Sequence, residues 1–436
     1  MQLRSFAITL ACLLLVLQAS HSSAAPKLSG AERRLVAAAQ AENQRTFELL
    51  EKLVNINSGT MNPQGVRAVA DVMRAELEEI GFQVRWVAMD QVGRSGHLVA
   101  EHAGNGRGKR MLLIGHLDTV FEPDSPFQKY ERRGDVIEGP GVNDMKGGLA
   151  IMVSALRAMK QAGTLAPARI NIVLTGDEED PGEPYAVARA DLRAAADRSD
   201  VALEFESLAQ EGGKDMGSIA RRSAYSWTVT ASGKSGHSSG IFSGDAGYGA
   251  AYELSRILDT FRRELPETNA TFNVGLILSG ATTQTNDTRT AGSATGKTNI
   301  IPPVASAQGD LRTLSNEQTG RMQAKMRQIV AQNLPGTKAE IVFFEGYPAM
   351  APTEGSRALL AKLNEVNRDL GLEPMGELHP LKRGAGDIAF VADKIDGLIG
   401  FGAAGDGSHA PGETADATAF DRQIQRAALM MTRLAK

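Results

Sequence analysis

A histidine and an aspartate directly follow an apolar segment in the first third of the chain. Residues 111–115 are an unbroken apolar run ending at glycine, which predicts a buried strand, and His116 and Asp118 come next. Side chains alternate along an extended chain, so these two point the same way. An imidazole and a carboxylate at the carboxyl end of such a strand are typical of a site in an open α/β sheet. The alternative is a core histidine beside a capping aspartate.

Similar side chains follow other predicted strands and one glycine-rich loop. The candidates are His116, Asp144, Glu178, Glu179, Glu206 and His409. Histidine and carboxylate ligands without cysteine suit zinc or a similar divalent cation, and this number suits a pair of ions better than one. Two ions about 3.5–4 Å apart would share one carboxylate, and a second carboxylate, off the metals, would take a proton from water. The neighbours Glu178 and Glu179 diverge at a strand end and suit the division into ligand and proton acceptor. Each carboxylate alone would be an ordinary surface group.

Composition excludes several other kinds of chemistry. The chain has 436 residues, a formal net charge of −4 and 46 glycines, so it has no general basic surface for nucleic acid. Its length allows two or more domains. The only cysteine is Cys12, inside the apolar leader described next, which leaves no thiol ligand, thiol nucleophile or disulfide in the mature chain.

The first 24 residues have the pattern of a secretory signal peptide. Arg4 precedes the apolar run 6–17, and small residues precede an expected cut between Ala24 and Ala25. An uncleaved membrane anchor is the alternative, but the run is shorter than the roughly 20 residues that a span needs. We therefore expect a periplasmic or secreted protein that has no membrane attachment after cleavage.

Strand and helix patterns alternate up to about residue 220 and again after 346. This alternation predicts an α/β catalytic domain, with a mostly parallel sheet and helices on both faces, built from 25–220 and 346–436. Between them, 221–345 contains four strands of period two and two helices, which predicts an inserted α+β domain whose sheet has one solvated face.

Two glycine-rich segments look superficially like phosphate-binding loops. Residues 104–109 precede a strand instead of joining a strand to a helix, so we interpret them as a hairpin turn. Residues 292–298 are one residue short of a Walker A loop, and Pro302-Pro303 prevents a following helix. Neither segment predicts nucleotide binding.

The ordered motifs resemble those of M20-family metallopeptidases, in the branch of glutamate carboxypeptidases and aminoacylases. They span nearly the whole mature chain and read GHLDTV, GPGVNDMKGG, TGDEED, GKSGHSSG, NIIPP, GDLR, RGAGD and GDGSH. The resemblance implies a di-zinc exopeptidase or amidohydrolase with a zinc-exopeptidase-like catalytic domain and an inserted lid and dimerisation domain. Cobalt or manganese could replace the zinc.

The resemblance also implies a role for each candidate. His116 and Glu206 would bind one ion, and Glu179 and His409 the other. Asp144 would bridge the two ions and precede a cis peptide bond to Met145. Asp118 would orient His116, and Glu178 would be the general base.

The inserted domain would complete the site. His237 resembles the residue that donates to the oxyanion, often from the partner subunit of a homodimer; the alternative is a surface turn. Asn299 and Arg312 resemble the residues that hold a substrate carboxylate, since arginine binds carboxylates in two places. A surface charge is the alternative for Arg312. Gly386 lies in the loop that would line the pocket.

The chain departs from the glutamate carboxypeptidases at two positions. Met216 and Tyr347 align with a lysine and an arginine that meet the glutamate substrate, which argues against strict glutamate preference. The substrate would be a peptide or an N-acyl amino acid that releases its C-terminal amino acid. A small-metabolite deacylase or desuccinylase is the alternative. A catalytically inert metal-binding module is disfavoured, because it would not need both Glu178 and Glu179.

Overall fold

A computed structural model describes residues 28–436 of the chain. The predicted signal peptide and its cleavage site lie outside the described residues. Within residues 28–436 no helix combines the length and the apolar character needed to cross a membrane.

Ten α-helices and 21 strands make up the described chain. The helices are α1 (Gly30–Ala41), α2 (Asn43–Val54), α3 (Pro63–Ile80), α4 (Lys146–Ala162), α5 (Tyr185–Ala188), α6 (Ala190–Asp197), α7 (Gly249–Glu264), α8 (Asn316–Val330), α9 (Glu354–Asp369) and α10 (Ala417–Leu434). The strands are β1 (Gln83–Met89), β2 (Arg94–His102), β3 (Arg110–His116), β4 (Glu131–Arg133), β5 (Val136–Glu138), β6 (Arg169–Thr175), β7 (Val201–Glu204), β8 (Ala209–Glu211), β9 (Lys214–Gly217), β10 (Tyr225–Gly233), β11 (Gly236–His237), β12 (Thr271–Gly280), β13 (Thr282–Thr285), β14 (Gly292–Thr295), β15 (Ile300–Ile301), β16 (Val304–Arg312), β17 (Thr337–Phe343), β18 (Gly376–Glu377), β19 (Asp396–Ile399), β20 (Gly405–Asp406) and β21 (Thr414–Asp416).

The larger sheet has six strands in the order β1-β2-β6-β3-β7-β19. Strand β2 runs antiparallel to both neighbours, whereas β6, β3, β7 and β19 pair in parallel. The predicted mostly parallel sheet is therefore confirmed. Four carboxyl ends meet at one edge of this sheet, which is where side chains from distant parts of the sequence converge.

Strand β3 is buried on both faces. Met111 and Leu113 belong to the core that contains α4, while Leu112 and Ile114 belong to a second core with residues of α6. This alternation is the period-two pattern of a strand covered on both sides by helices. It explains why the sequence of β3 is continuously apolar.

Residues 104–109 do not form the hairpin turn that the sequence predicted. They join β2 to β3, but β6 lies between these two strands in the sheet. Strand β6 comes about 60 residues after β3 and pairs with both of its neighbours, antiparallel to β2 and parallel to β3. The sequences of β2 and β3 alone therefore could not show that a third strand, β6, lies between them.

The smaller sheet has the antiparallel order β12-β16-β10-β17, with α7 and α8 on one face. Trp227 and Val229 of β10 pack with Ile257 and Phe261 of α7, while Thr228 between them faces the other side. The predicted four strands and two helices are therefore observed. The strands of the large sheet come from before and after this block, and the exact domain limits stay a prediction.

Short strands bring two site loops together. Strand β21, which follows the loop of His409, pairs with β5, which precedes the loop of Asp144. With β20 and β4 they form a small sheet of two- and three-residue strands. Strands this short carry no usable period in the sequence.

Candidate metal centre

His116 ends β3 and is almost completely buried. Its Nδ1 lies 3.1 Å from the backbone carbonyl oxygen of Asp118 and 3.4 Å from the Asp118 carboxylate. Its Nε2 faces Asp144 Oδ1 at 3.2 Å and Glu206 Oε1 at 3.4 Å. A proton on Nδ1 leaves the Nε2 lone pair available to a metal ion. His116, Asp144 and Glu206 thus form one set of potential ligands.

His409 forms a second set with Asp144. Its Nε2 lies 3.3 Å from Asp144 Oδ2 and 3.1 Å from Glu179 Oε2. The two oxygens of Asp144 therefore face two different histidines, as expected for a carboxylate shared between two ions. The cis peptide bond between Asp144 and Met145, implied by the family resemblance, is confirmed.

The spacing of these donor atoms fits a divalent ion. Bonds of about 2.0–2.1 Å in a tetrahedral site place neighbouring ligand atoms roughly 3.3 Å apart. The nitrogen–oxygen separations in both sets run from 3.1 to 3.4 Å. The protein thus offers two sets of nitrogen and oxygen ligands that share Asp144.

Crowded charges perturb the pKa values of this cluster. Burial, together with Glu179 and Glu206, raises the pKa of Glu178 well above its ordinary value, although His116 opposes this. Burial is the main cause that raises the pKa of Glu179 to about 7. Hydrogen bonds with Asp144 and Glu179 raise the pKa of His409 to about 11. Several like charges in a buried pocket are what bound cations would neutralise.

Asp118 does more than face His116. Its two carboxylate oxygens accept hydrogen bonds from the backbone N–H groups of Glu178 and Glu179, both at 3.1 Å, and Thr60 donates to it as well. Asp118 therefore fixes the imidazole and the start of the loop that carries both glutamates.

A buried ion network lies behind Glu178. Arg189 donates to Asp177 at 2.6 Å and to Asp387 at 2.7 Å, and it also donates to the hydroxyl oxygen of Tyr347. The Tyr347 hydroxyl donates to the backbone carbonyl of Glu178 at 2.8 Å. The network joins the glutamate loop to the glycine-rich loop that ends at Asp387, and the sequence offered no sign of it.

Glu413 joins the loops of His409 and Asp144. This fully buried carboxylate accepts hydrogen bonds from the backbone N–H groups of Gly141, Asn143 and Asp144 at 2.8–3.1 Å. Burial raises the pKa of Glu413 to about 7, although these hydrogen bonds oppose the shift. The sequence analysis missed Glu413, which has no distinguishing sequence signal beyond its position four residues after His409.

Met216 and Tyr347, the two positions that depart from the glutamate carboxypeptidases, lie in different surroundings. Tyr347 is 7% exposed and points toward the loop of Glu178. Met216 lies on β9, paired with Ala209 and Gly376. Arg221 and Arg383 lie 3.4 and 3.9 Å from Glu206 Oε2. Loss of the two aligned cations therefore does not leave the site without positive charge.

Gly386 lies against the side chain of Arg221. A Cβ atom there would lie 1.2 Å from Nη1 of Arg221, so the glycine makes room for the guanidinium. The expected role of Gly386 toward substrate stays a prediction.

His237, Asn299 and Arg312 belong to the region of the smaller sheet. His237 is exposed and pairs with Ile300, and the neighbouring Ser238 N–H donates to the backbone carbonyl of Asn299. Arg312 pairs with Asp310 at 2.9 Å. These contacts bring His237 and Asn299 together but do not join them to the metal cluster, so their roles stay predictions.

Comparisons with known proteins identify the family of this chain. Residues 112–436 match the family described as Peptidase family M20/M25/M40. Carboxypeptidase G2 of Pseudomonas sp. (strain RS-16) is 28% identical over 407 residues, which cover 91% of each chain. Succinyl-diaminopimelate desuccinylase of Novosphingobium aromaticivorans is 34% identical over 197 residues, 43% of this chain and 50% of that protein. The crystal structure of aminopeptidase PepT from Bacillus cereus has a TM-score of 0.71 at 18% identity, over 90% of this chain and 99% of that one.

The chain belongs to peptidase family M20/M25/M40. It is a metal-dependent hydrolase of the metallopeptidase and amidohydrolase class.

Proposed function

We propose that the protein hydrolyses an amide bond and releases the C-terminal amino acid of a peptide or an N-acyl amino acid. The observation that carries this proposal is the pair of histidine–carboxylate sets that share Asp144. Glu178 lies beside them, close to His116 and Glu206. Similarity to carboxypeptidase G2 over 91% of both chains supports the substrate class.

We assign His116, Asp144 and Glu206 to one zinc ion and Asp144, Glu179 and His409 to the other. Cobalt or manganese would suit the same nitrogen and oxygen donors. When bound, the ions lower the pKa of a water molecule and polarise the scissile carbonyl.

The chain's own groups move the proton and hold the substrate. Glu178 takes the proton of the attacking water and later delivers it to the leaving nitrogen. Asp118 holds the backbone of Glu178 in place. His237, from the partner subunit, donates to the developing oxyanion. Asn299 and Arg312 bind the substrate carboxylate, and the loop of Gly386 lines the pocket.

Localisation and assembly form part of the same proposal. The leader 1–24 directs the chain to the periplasm or outside the cell. The smaller domain mediates a homodimer in which His237 of each chain reaches the metal centre of the partner subunit. Sedimentation of the mature protein would test the dimer, and N-terminal sequencing of exported protein would test the cleavage site.

A second candidate is deacylation of a small metabolite by the same machinery. Its support is the 34% identity to a succinyl-diaminopimelate desuccinylase, which covers half of that protein. This candidate differs in the acyl group removed and not in the metal chemistry.

A substrate panel tests the proposal. The mature chain is assayed on dipeptides, N-acyl amino acids and N-succinyl amines that vary in the C-terminal residue. We expect activity on the first two classes that a chelator abolishes and zinc restores. Turnover of the succinyl amines alone would favour the second candidate, and strong preference for C-terminal glutamate would contradict the inference from Met216 and Tyr347. Activity that persists after verified metal removal would overturn both candidates.

A further inference from the structure

The two oxygens of the Glu206 carboxylate face different partners. Oε1 lies 3.4 Å from Nε2 of His116, on the side of the first metal position. Oε2 lies 3.4 Å from a terminal nitrogen of Arg221, with Arg383 further away at 3.9 Å. A carboxylate held in this way offers one oxygen to an ion and keeps the other for arginine.

Arg221 is held in place from three sides. Its Nη1 donates to Glu204 Oε2 at 3.0 Å, and Glu204 Oε1 accepts from the backbone N–H of Ile388 at 2.8 Å. Its own backbone forms two hydrogen bonds with Met350. The missing Cβ of Gly386 leaves the space that the guanidinium occupies. Arg221, Glu204 and Glu206 are at most 6% exposed.

The guanidinium of Arg221 lies between two carboxylates. One terminal nitrogen donates to Glu204 Oε2 at 3.0 Å, and the other lies 3.4 Å from Glu206 Oε2. An arginine fork can donate to two carboxylates at once, whereas the single ammonium of lysine has no such fixed geometry. Glu204 thus holds the arginine, and the arginine in turn holds Glu206.

In the contacts of residues 28–436, no arginine lies on a ligand carboxylate of the second metal position; Glu413 and Asp118 support its loops through backbone hydrogen bonds. His409 is 57% exposed, and the ligand oxygen of Glu179 that faces it pairs with no arginine. The two positions therefore differ in how the protein supports them.

We propose that Arg221, held by Glu204, is a positioning residue that fixes Glu206 as a one-oxygen ligand of the ion at His116. This inference rests on the proposed two-ion site and adds that the two ions depend on different supports. Loss of Arg221 should weaken the ion at His116 and Glu206 and leave the ion at His409 and Glu179 largely unaffected.

Zinc titration of the metal-stripped mature chain, by calorimetry, tests the inference. In Arg221→Lys we expect one of two sites to weaken by about 10–100-fold, the usual effect of removing a group that orients a metal ligand. The other site should stay within about twofold. The matched control is Arg222→Lys, an adjacent arginine that bonds to Thr271 instead, and it should bind like the wild type.

Two backgrounds identify the affected site. In His409→Ala, which retains only the first position, Arg221→Lys should weaken the remaining ion. In His116→Ala it should have no effect. Equal weakening in both backgrounds would overturn the inference.

Further variants separate positioning from a folding defect. Glu204→Gln and Gly386→Ala should each produce the same selective loss, since one releases Arg221 and the other displaces it. Far-UV circular dichroism shows whether each variant is folded. If Arg221→Lys does not fold, Glu204→Gln decides the question. Two ions with wild-type affinities in the folded variants would overturn the inference alone. A wild-type chain that binds fewer than two ions would overturn the proposed function and the inference with it.

Discussion

Glu178 and Glu179 are adjacent glutamates with different surroundings. Glu179 Oε2 lies 3.1 Å from His409 Nε2, among potential metal ligands, and the backbone of each glutamate donates to Asp118. The sequence could predict that one glutamate binds metal and the other does not. The family resemblance implied that Glu179 is the ligand, and the 3.1 Å separation from His409, which is 230 residues away in the sequence, supports that choice. Glu178 lies close to His116 and Glu206 instead.

Replacement of Glu178 separates proton transfer from metal binding. In Glu178→Gln we expect kcat to fall by about 10²–10⁴-fold, since glutamine cannot accept the proton of water. Zinc content should stay at two ions for each chain. The control is Asp180→Asn, an exposed carboxylate on the same loop that pairs with Arg94. Steady-state kinetics and metal analysis measure both effects. Wild-type turnover in Glu178→Gln would disprove the assignment of Glu178 as the general base.

At the scale of elements, the glutamate loop depends on contacts behind it. Arg189, at the junction of α5 and α6, holds Asp177 of the glutamate loop and Asp387 of the glycine-rich loop. Tyr347 closes this network onto the carbonyl of Glu178. A buried polar network rigidifies its surroundings when its members are satisfied. The loop of Glu178 is thus held by Arg189, Tyr347 and Asp387, which come from three different segments of the chain.

Tyr347→Phe removes the hydroxyl that donates to the backbone carbonyl of Glu178 and accepts a hydrogen bond from Arg189. The loop of Glu178 should become less well fixed, so we expect kcat to fall by about tenfold, because roughly 1.4 kcal/mol of transition-state stabilisation corresponds to that factor. KM and zinc content should stay unchanged.

Tyr185→Phe is the matched control for this variant. The Tyr185 ring packs against Tyr347 with ring centroids 6.0 Å apart. Tyr185→Phe removes a nearby hydroxyl and keeps this aromatic contact. Similar kinetics in both variants would contradict a positioning role for the Tyr347 hydroxyl.

At the scale of the whole molecule, an ion cluster ties the last helix to the strand that precedes the inserted domain. Asp215 of β9 accepts hydrogen bonds from Arg422 and Arg426 of α10 at 2.6–3.2 Å. Burial would raise the pKa of Asp215, but these arginines and Gln210 lower it from 3.8 to about 2. A carboxylate with a depressed pKa in the folded state stabilises the fold above its unfolded pKa.

The stabilisation by Asp215 should disappear in acid. We expect Asp215→Asn to lower the free energy of unfolding by about 2 kcal/mol at pH 7, from 1.36 kcal/mol per pKa unit. The difference from wild type should shrink as pH falls from about 4 toward 2, because the wild-type carboxylate is then protonated too.

Urea unfolding of the chelator-treated chains at several pH values measures this difference. Chelation keeps acid release of metal out of the comparison. The exposed Asp124→Asn serves as the control and should match the wild type at every pH. A constant difference between Asp215→Asn and wild type across the pH range would refute the electrostatic explanation.

The sequence by itself determined the parts that local pattern controls. The apolar run before His116 predicted a buried strand, and four period-two strands between 225 and 344 predicted a separate α+β domain. Six candidate side chains were identified in this way, and the structure places five of them in two sets that share Asp144, with Glu178 close to His116 and Glu206.

Only the tertiary structure decided what depends on contacts between distant segments. Because β6 lies between β2 and β3, residues 104–109 connect two strands that are not neighbours and do not form the predicted hairpin turn. Glu413, Arg189 and Arg221 have no distinctive spacing, because a buried charge is defined by its partners and not by its neighbours in sequence. For the same reason only the structure shows that Tyr347, which the alignment suggested for the pocket, donates to the backbone carbonyl of Glu178, and that Arg221 supplies positive charge beside Glu206.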